Sequence, residues 1–89
     1  MRSLAQELGP RDIRVNAICP GMVDTPILRK ATAQWGDTAT VMQRFADEAP
    51  LKRISNPEDI AATAAFLASD DARMIHAHSL VVDGGTHGH

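Results

Sequence analysis

The side chains in this sequence that could do chemistry are few and scattered. Two His-x-His pairs, His76 with His78 and His87 with His89, place imidazoles two residues apart. On a strand such a pair shares a face, and imidazole is a common zinc ligand. Neither pair has a clear third ligand, so no metal site is expected beyond adventitious capture of zinc or nickel. Cys19 is the only cysteine; nothing places a base beside it, and it reads as a small buried apolar residue rather than a nucleophile. Glu58 and Asp59 look like paired carboxylates, but adjacent helix positions face apart, which makes them helix-start charges. Tyrosine is absent altogether. There remains Pro20-Gly21, followed by Asp24-Thr25-Pro26. A turn that leads into a capped helix presents backbone amides and a favourable dipole to an anion. Taken alone, these residues read first as a plain turn and a plain cap, since such signals recur in any fold.

The elements around these residues follow from their punctuation. Met1, Leu4, Ala5 and Leu8 recur at helical spacing, and Gly9-Pro10 predicts a left-handed glycine cap with proline stopping the helix. The segment has barely two turns and no capping residue before it, so it reads as the tail of a longer helix. Ile13 to Cys19 is predicted to be a strand closed by Pro20-Gly21. Thr25 is the predicted N-cap of a helix with Pro26 at its first position, and Leu28, Ala31 and Trp35 are its expected inner face. Gly36-Asp37 breaks that helix. Val41, Met42, Phe45, Ala46 and Ala49 mark a second, which ends at Pro50. Asn56 or Ser55 caps a third, opened by Pro57 with Glu58 and Asp59 in its first turn and running to about Ser69. Asp70 to Arg73 turns the chain into a second strand, Ser79 to Asp83, ended by Gly84-Gly85. Strand, crossover helix and strand predict a parallel pair in an α/β fold. A parallel sheet wants more strands and two covered faces, and the missing strands are expected upstream.

Composition narrows the classes further. At 89 residues with only Trp35, Phe45 and Phe66 aromatic, the chain builds a small core with few large anchors. Its net charge of -2, with both signs interspersed, offers no footprint for nucleic acid or an anionic membrane. One cysteine, no apolar run of spanning length and no signal-peptide core lead to the expectation of a cytoplasmic protein.

Four stretches together resemble the end of the short-chain dehydrogenase/reductase family. They are Arg2 to Leu8 (RSLAQEL), Ile13 to Gly21 (IRVNAICPG), Pro57 to Ala61 (PEDIA) and Val82 to Gly85 (VDGG), in that order and at that spacing. The resemblance covers nearly the whole chain. It implies the carboxy-terminal part of a Rossmann-like, doubly wound parallel sheet, with residues 1–89 a partial dinucleotide-binding domain. Residues 26–50 would then be its substrate-loop flap. In that family the loop after the sixth strand carries Pro-Gly, a backbone amide that meets the nicotinamide carboxamide, and a threonine. Carried over, Pro20, Gly21, Val23 and Thr25 are the expected contacts to NAD or NADP. Gly21 would let the backbone approach the ring, beyond the carboxyl end of a strand, where open α/β sheets bind ligands. Leu28, Trp35, Met42 and Phe45 are the expected lining of an apolar substrate pocket, or equally the flap's own packing residues.

The family's catalytic tyrosine, the lysine four residues on, and the glycine-rich phosphate loop have no counterpart here. The resemblance places that pair just before Met1, and Asn16 is not the family's catalytic asparagine. The expectation is therefore a fragment, inactive alone, of an oxidoreductase that moves hydride between NAD(P) and an alcohol or carbonyl and assembles as a homo-oligomer. The alternative is a non-enzymatic module that pairs with itself or with a full-length relative through Met1, Leu4, Leu8, Ile60 and Leu67. One departure stands out: His76-Ala77 occupies the place of the family's Thr-Gly, which strains the turn if it needs a positive φ.

Overall fold

The computed structural model describes residues 1–87. Its order is α1 (Arg2–Leu8), a 3-10 turn (Gly9–Arg11), β1 (Ala17–Pro20), α2 (Pro26–Thr32), α3 (Thr38–Glu48), α4 (Pro57–Ala68), a second 3-10 turn (Asp70–Ala72) and β2 (Ser79–Val82). β1 and β2 pair in parallel, with Ala17 opposite Ser79 and Pro20 opposite Val82. The three helices between them form the crossover, so the fold is α/β as the element order predicts.

The local signals account for most helix boundaries. Thr25 is extended and its hydroxyl accepts from the Leu28 amide at 3.2 Å, with Pro26 opening α2. The Asp37 carboxylate accepts from the Thr40 amide at 3.1 Å and starts α3. At α4 the N-cap is Asn56, whose amide donates to the Asp59 carboxylate at 2.8 Å. Each device satisfies amide groups that a helix end would otherwise leave without partners.

Four expectations are corrected. Cys19 is exposed rather than buried, since a sheet of two strands leaves it uncovered. Gly9 does not take the left-handed cap; it is right-handed at φ -54°, and the chain coils on through Pro10, which a 3-10 turn accepts at its start. Asp12 takes the left-handed position instead, at φ 60°, and the Ile13 amide returns to the Leu8 carbonyl. The strand is shorter than Ile13 to Cys19. Residues 13–16 form no ladder, because the partners of Val15 are the His76 side chain and the Ala77 turn rather than a strand. Trp35 is 60% exposed, since α2 ends at Thr32 and helical spacing no longer carries it inward. Thr32 is the buried residue there, its hydroxyl donating to the Arg29 carbonyl at 2.7 Å.

Asn16 joins the two strand approaches. Its Nδ2 donates to the Ile75 carbonyl at 3.0 Å and its Oδ1 accepts from the His78 amide at 3.1 Å. The side-chain amide thereby acts as one extra rung below the ladder, whose first backbone bond runs from the Ala17 amide to His78. At the other end the Gly21 amide donates to Val82 at 3.1 Å. Alternation then turns the Pro20 nitrogen to the opposite edge, where its missing donor breaks no rung with β2.

Packing is sparse. The buried residues are Thr32, Val41, Met42 and Ala49 on and beside the α2–α3 hairpin, and Ala5, Leu67 and Ala72 around α1 and α4. The radius of gyration is 16.1 Å, against about 12 Å for a compact domain of this length. The accessible surface is 6410 Å², against roughly 5,100 Å² for a compact protein of this mass. α4 shows the consequence. From Ile60 to Ala68 it carries no charge, yet Ala61, Ala62, Ala64, Ala65, Phe66 and Ala68 are exposed, the composition of a helix meant to be covered.

Ala77 sits at φ 58°, the left-handed conformation that glycine adopts freely and a β-carbon disfavours. Ala77→Gly is expected to raise stability by about 0.5–1 kcal/mol in urea unfolding, after allowing for glycine's freer unfolded state.

Candidate functional site

The loop that leaves the carboxyl end of β1 is held from two sides. On one side Gly21 lies against the residue that follows β2: a β-carbon at Gly21 would stand 2.7 Å from Asp83 Cβ and 3.1 Å from Asp83 Cα. Glycine is required here by the chain's own close approach, whatever else the loop meets. On the other side Val23 forms an isolated parallel bridge with Ser55. The Ser55 amide donates to Met22 O at 3.2 Å and the Asp24 amide donates to Ser55 O at 2.8 Å. In a parallel bridge these flanking residues take the bonds and the central residue faces away. The Val23 N–H and C=O accordingly have no hydrogen-bond partner among the described residues.

The loop then locks into α2. Asp24 grips Arg29 through both oxygens, at 2.7 Å to Nε and 2.8 Å to Nη2. This hydrogen-bonded guanidinium holds the Asp24 carboxyl below its usual value of 3.8, against a smaller opposing effect of burial. The Thr25 Oγ1 is engaged as the cap, which leaves its O–H as a donor. Pro20 and Gly21, Val23 and Thr25 thus lie on one continuous segment fixed at both ends, with a free amide at its middle.

Beside this loop is a cleft of about 320 Å³, lined by Met22, Phe45 and Ile54 together with Glu48, Arg53, Asp83 and His87. Of the four pocket residues expected from sequence, Phe45 alone lines it. Met42 is buried at 7% exposure, Leu28 is half-buried on α2, and Trp35 stands exposed beyond it. Ile54 and Arg53 reach the cleft because the Val23–Ser55 bridge draws their segment there, a non-local pairing with no sequence signal. Asp83, with its side chain 4% exposed, accepts from the Gly85 amide at 2.9 Å and the His87 amide at 3.1 Å, and pairs with His87 Nδ1. The His87 hydrogen bond is the main cause of its lowered pKa, burial opposes it, and the two backbone donors add to it.

The His76–His78 pair does not converge on a ligand. Both ring nitrogens of His76 are taken by backbone groups, Nδ1 accepting from the Val15 amide and Nε2 meeting Ala5 O. Among the described residues no group of three or more His, Cys, Asp or Glu could hold a metal; His89 lies outside them. No helix among them is long and apolar enough to cross a membrane.

Two variants check this geometry. Gly21→Ala must displace Asp83 and is expected to cost about 1–3 kcal/mol of stability, read by thermal or urea unfolding. Asp24→Asn loses the charged grip on Arg29. The wild-type advantage should be complete above the ordinary Asp range and vanish as pH falls through the lowered Asp24 value. Unfolding curves from pH 7 down to about pH 2 should therefore converge for the two proteins.

Comparison with known proteins agrees with the fold. The family model described as enoyl-(acyl carrier protein) reductase matches residues 1–87. The short-chain reductase protein NovJ of Streptomyces niveus is 42% identical over 85 residues, covering 94% of this chain and 32% of NovJ. Ligand-free aldohexose dehydrogenase of Thermoplasma acidophilum superposes with a TM-score of 0.89 at 36% identity, over 98% of this chain and 36% of that one. L-sorbose reductase of Gluconobacter frateurii, solved with NADPH and L-sorbose, gives a TM-score of 0.88 at 38% identity, over 94% and 34%. The chain spans about a third of the length of these relatives. The parallel pair joined by a helical crossover agrees with the fold of these relatives, and the chain belongs to the short-chain dehydrogenase/reductase family.

Proposed function

We propose that this chain forms one wall of a nicotinamide dinucleotide site in an NAD(P)-dependent oxidoreductase acting on an alcohol or carbonyl. The observation that supports the reading most is the Val23 amide, unpartnered on a loop whose two neighbours are tied to Ser55. A free N–H on a rigid loop beyond a strand end suits the carboxamide oxygen of a nicotinamide. Thr25 supplies a hydroxyl donor two residues on, at a helix start, and Pro20 and Gly21 set the loop's exit from the sheet. The cofactor, when bound, supplies or accepts the hydride. The residues here bind and orient it, while Phe45, on the cleft beside the loop, shields that side from water; Leu28, Trp35 and Met42 shape the flap.

The chain contains no tyrosine, so it lacks the acid–base residue that the family's hydride chemistry uses. In this reading it neither turns over nor binds cofactor measurably alone, and does both when joined to the remaining two thirds of a relative. The choice between NAD and NADP lies outside these residues, as does the substrate. A second reading, a module that pairs with itself or with a full-length relative, draws on the large exposed surface and uncovered α4 described above. The homo-oligomer and the cytoplasmic compartment belong to the proposal as well.

The test is calorimetric titration of NADH and NADPH into the chain alone and into a chimera completed from aldohexose dehydrogenase. The chimera should bind and the isolated chain should not; micromolar binding by the chain alone would contradict the reading. In the chimera, Val23→Pro removes the amide and should weaken binding by about tenfold, whereas Val23→Ala should not. Sedimentation separates the second reading, since a well-behaved monomer counts against it.

A further inference from the structure

His76 bridges two parts of the chain far apart in sequence. Its Nδ1 accepts a hydrogen bond from the Val15 amide at 3.1 Å, and its Nε2 lies 2.8 Å from the Ala5 carbonyl of α1. The Val15 N–H can only donate and the Ala5 carbonyl can only accept. The ring must therefore be neutral, with a bare Nδ1 and its proton on Nε2. Protonation would set a second N–H against that of Val15 and break the bond on the sheet side.

The contact is tight as well as specific. A β-carbon on Gly9, directly after α1, would lie 3.1 Å from His76 Nε2. The next residue, Ala77, is held at φ 58° while its amide donates to Val15 O at 2.8 Å. His76 and Ala77 together thus clasp Val15 from both of its polar groups, and His76 alone extends the clasp to α1. α1 has little else to hold it, since Ala5 is its one buried residue and Met1 and Leu4 are 44% and 48% exposed.

We propose that His76 is a pH-sensitive strap that fixes α1 to the segment leading into β1 and releases it on protonation. The charged groups on the surrounding elements are Arg2 and Glu7 on α1, Arg11 and Asp12 after it, and Arg14 beside Val15. Arg14 donates to Ile75 O at 3.3 Å and Ser69 O at 3.2 Å. Asp70, Asp71 and Arg73 lie on the turn and chain before His76, and α4 offers Phe66 and Leu67, which do not titrate. His78 is the other imidazole nearby, and the Met1 α-amino group stands at the start of α1.

The test is amide hydrogen exchange of the full chain between pH 8 and pH 5, read as protection factors at Leu8, Gly9 and Val15, with nitrogen NMR of the His76 ring. Protection should fall by about tenfold at the lower pH, and at pH 8 the ring should carry its proton on Nε2. In His76→Gln, whose amide can both accept and donate at any pH, the fall should disappear; His78→Gln should keep it. A wild-type chain whose protection is pH-independent or absent throughout would overturn the proposal. So would a ring protonated on Nδ1 at pH 8, or a fall abolished by His78→Gln. If His76→Gln does not fold, the ring tautomer and the His78→Gln comparison still decide.

Discussion

The parallel ladder between Ala17–Pro20 and Ser79–Val82 is the constraint from which the rest of this structure follows. Two strands over sixty residues apart must meet side by side and point the same way. A parallel connection cannot be a tight turn, so the chain between them has to travel back along the sheet as helices. The ladder also brings both carboxyl ends to one place. Gly21 and Asp83, each just beyond its strand, approach so closely that only a glycine fits at the first. The Val23–Ser55 bridge adds a third anchor, and it leaves the Val23 amide without a partner among the described residues.

Much of this is legible in the sequence where the determinant is local. Thr25-Pro26 and Asn56-Pro57 announce helix starts because a cap and a pre-set φ act within one turn. The Gly36-Asp37 break is legible for the same reason. Where the determinant is distant, sequence reasoning falters. Residues 13–16 are branched enough for a strand, yet a strand needs a partner, and that of Val15 is the His76 ring and a turn. Trp35 keeps helical spacing with Leu28 and Ala31, but the helix ends three residues before it. Gly9 looks like a left-handed cap, while Asp12 provides that conformation three residues later.

The candidate site divides along the same line. Pro20, Gly21, Val23 and Thr25 are readable as one segment through their resemblance to a family loop, and the geometry adds what the resemblance does not contain: Gly21 is demanded by Asp83, and the Val23 amide is left over by Ser55. The cleft is less legible. Phe45 lies on it, but Ile54 and Arg53 arrive through the bridge, and Asp83 lies there because β2 ends beside β1. The open surface has a similar origin. Two strands bury little of the area that a parallel sheet needs covered on both faces, and α4, uncharged from Ile60 to Ala68, keeps its alanines in solvent.

If the unpartnered amide of Val23 is the contact for a nicotinamide, its environment should change when cofactor binds and that of its anchors should not. The direct measurement is a nitrogen–proton NMR spectrum of this chain, isotope-labelled and joined to the unlabelled remainder of a relative, titrated with NADH and NADPH. The account predicts a large shift of the Val23 amide, with Asp24 and Ser55 nearly still because their hydrogen bonds are already made. A cofactor that binds and shifts resonances elsewhere while Val23 stays in place would contradict it.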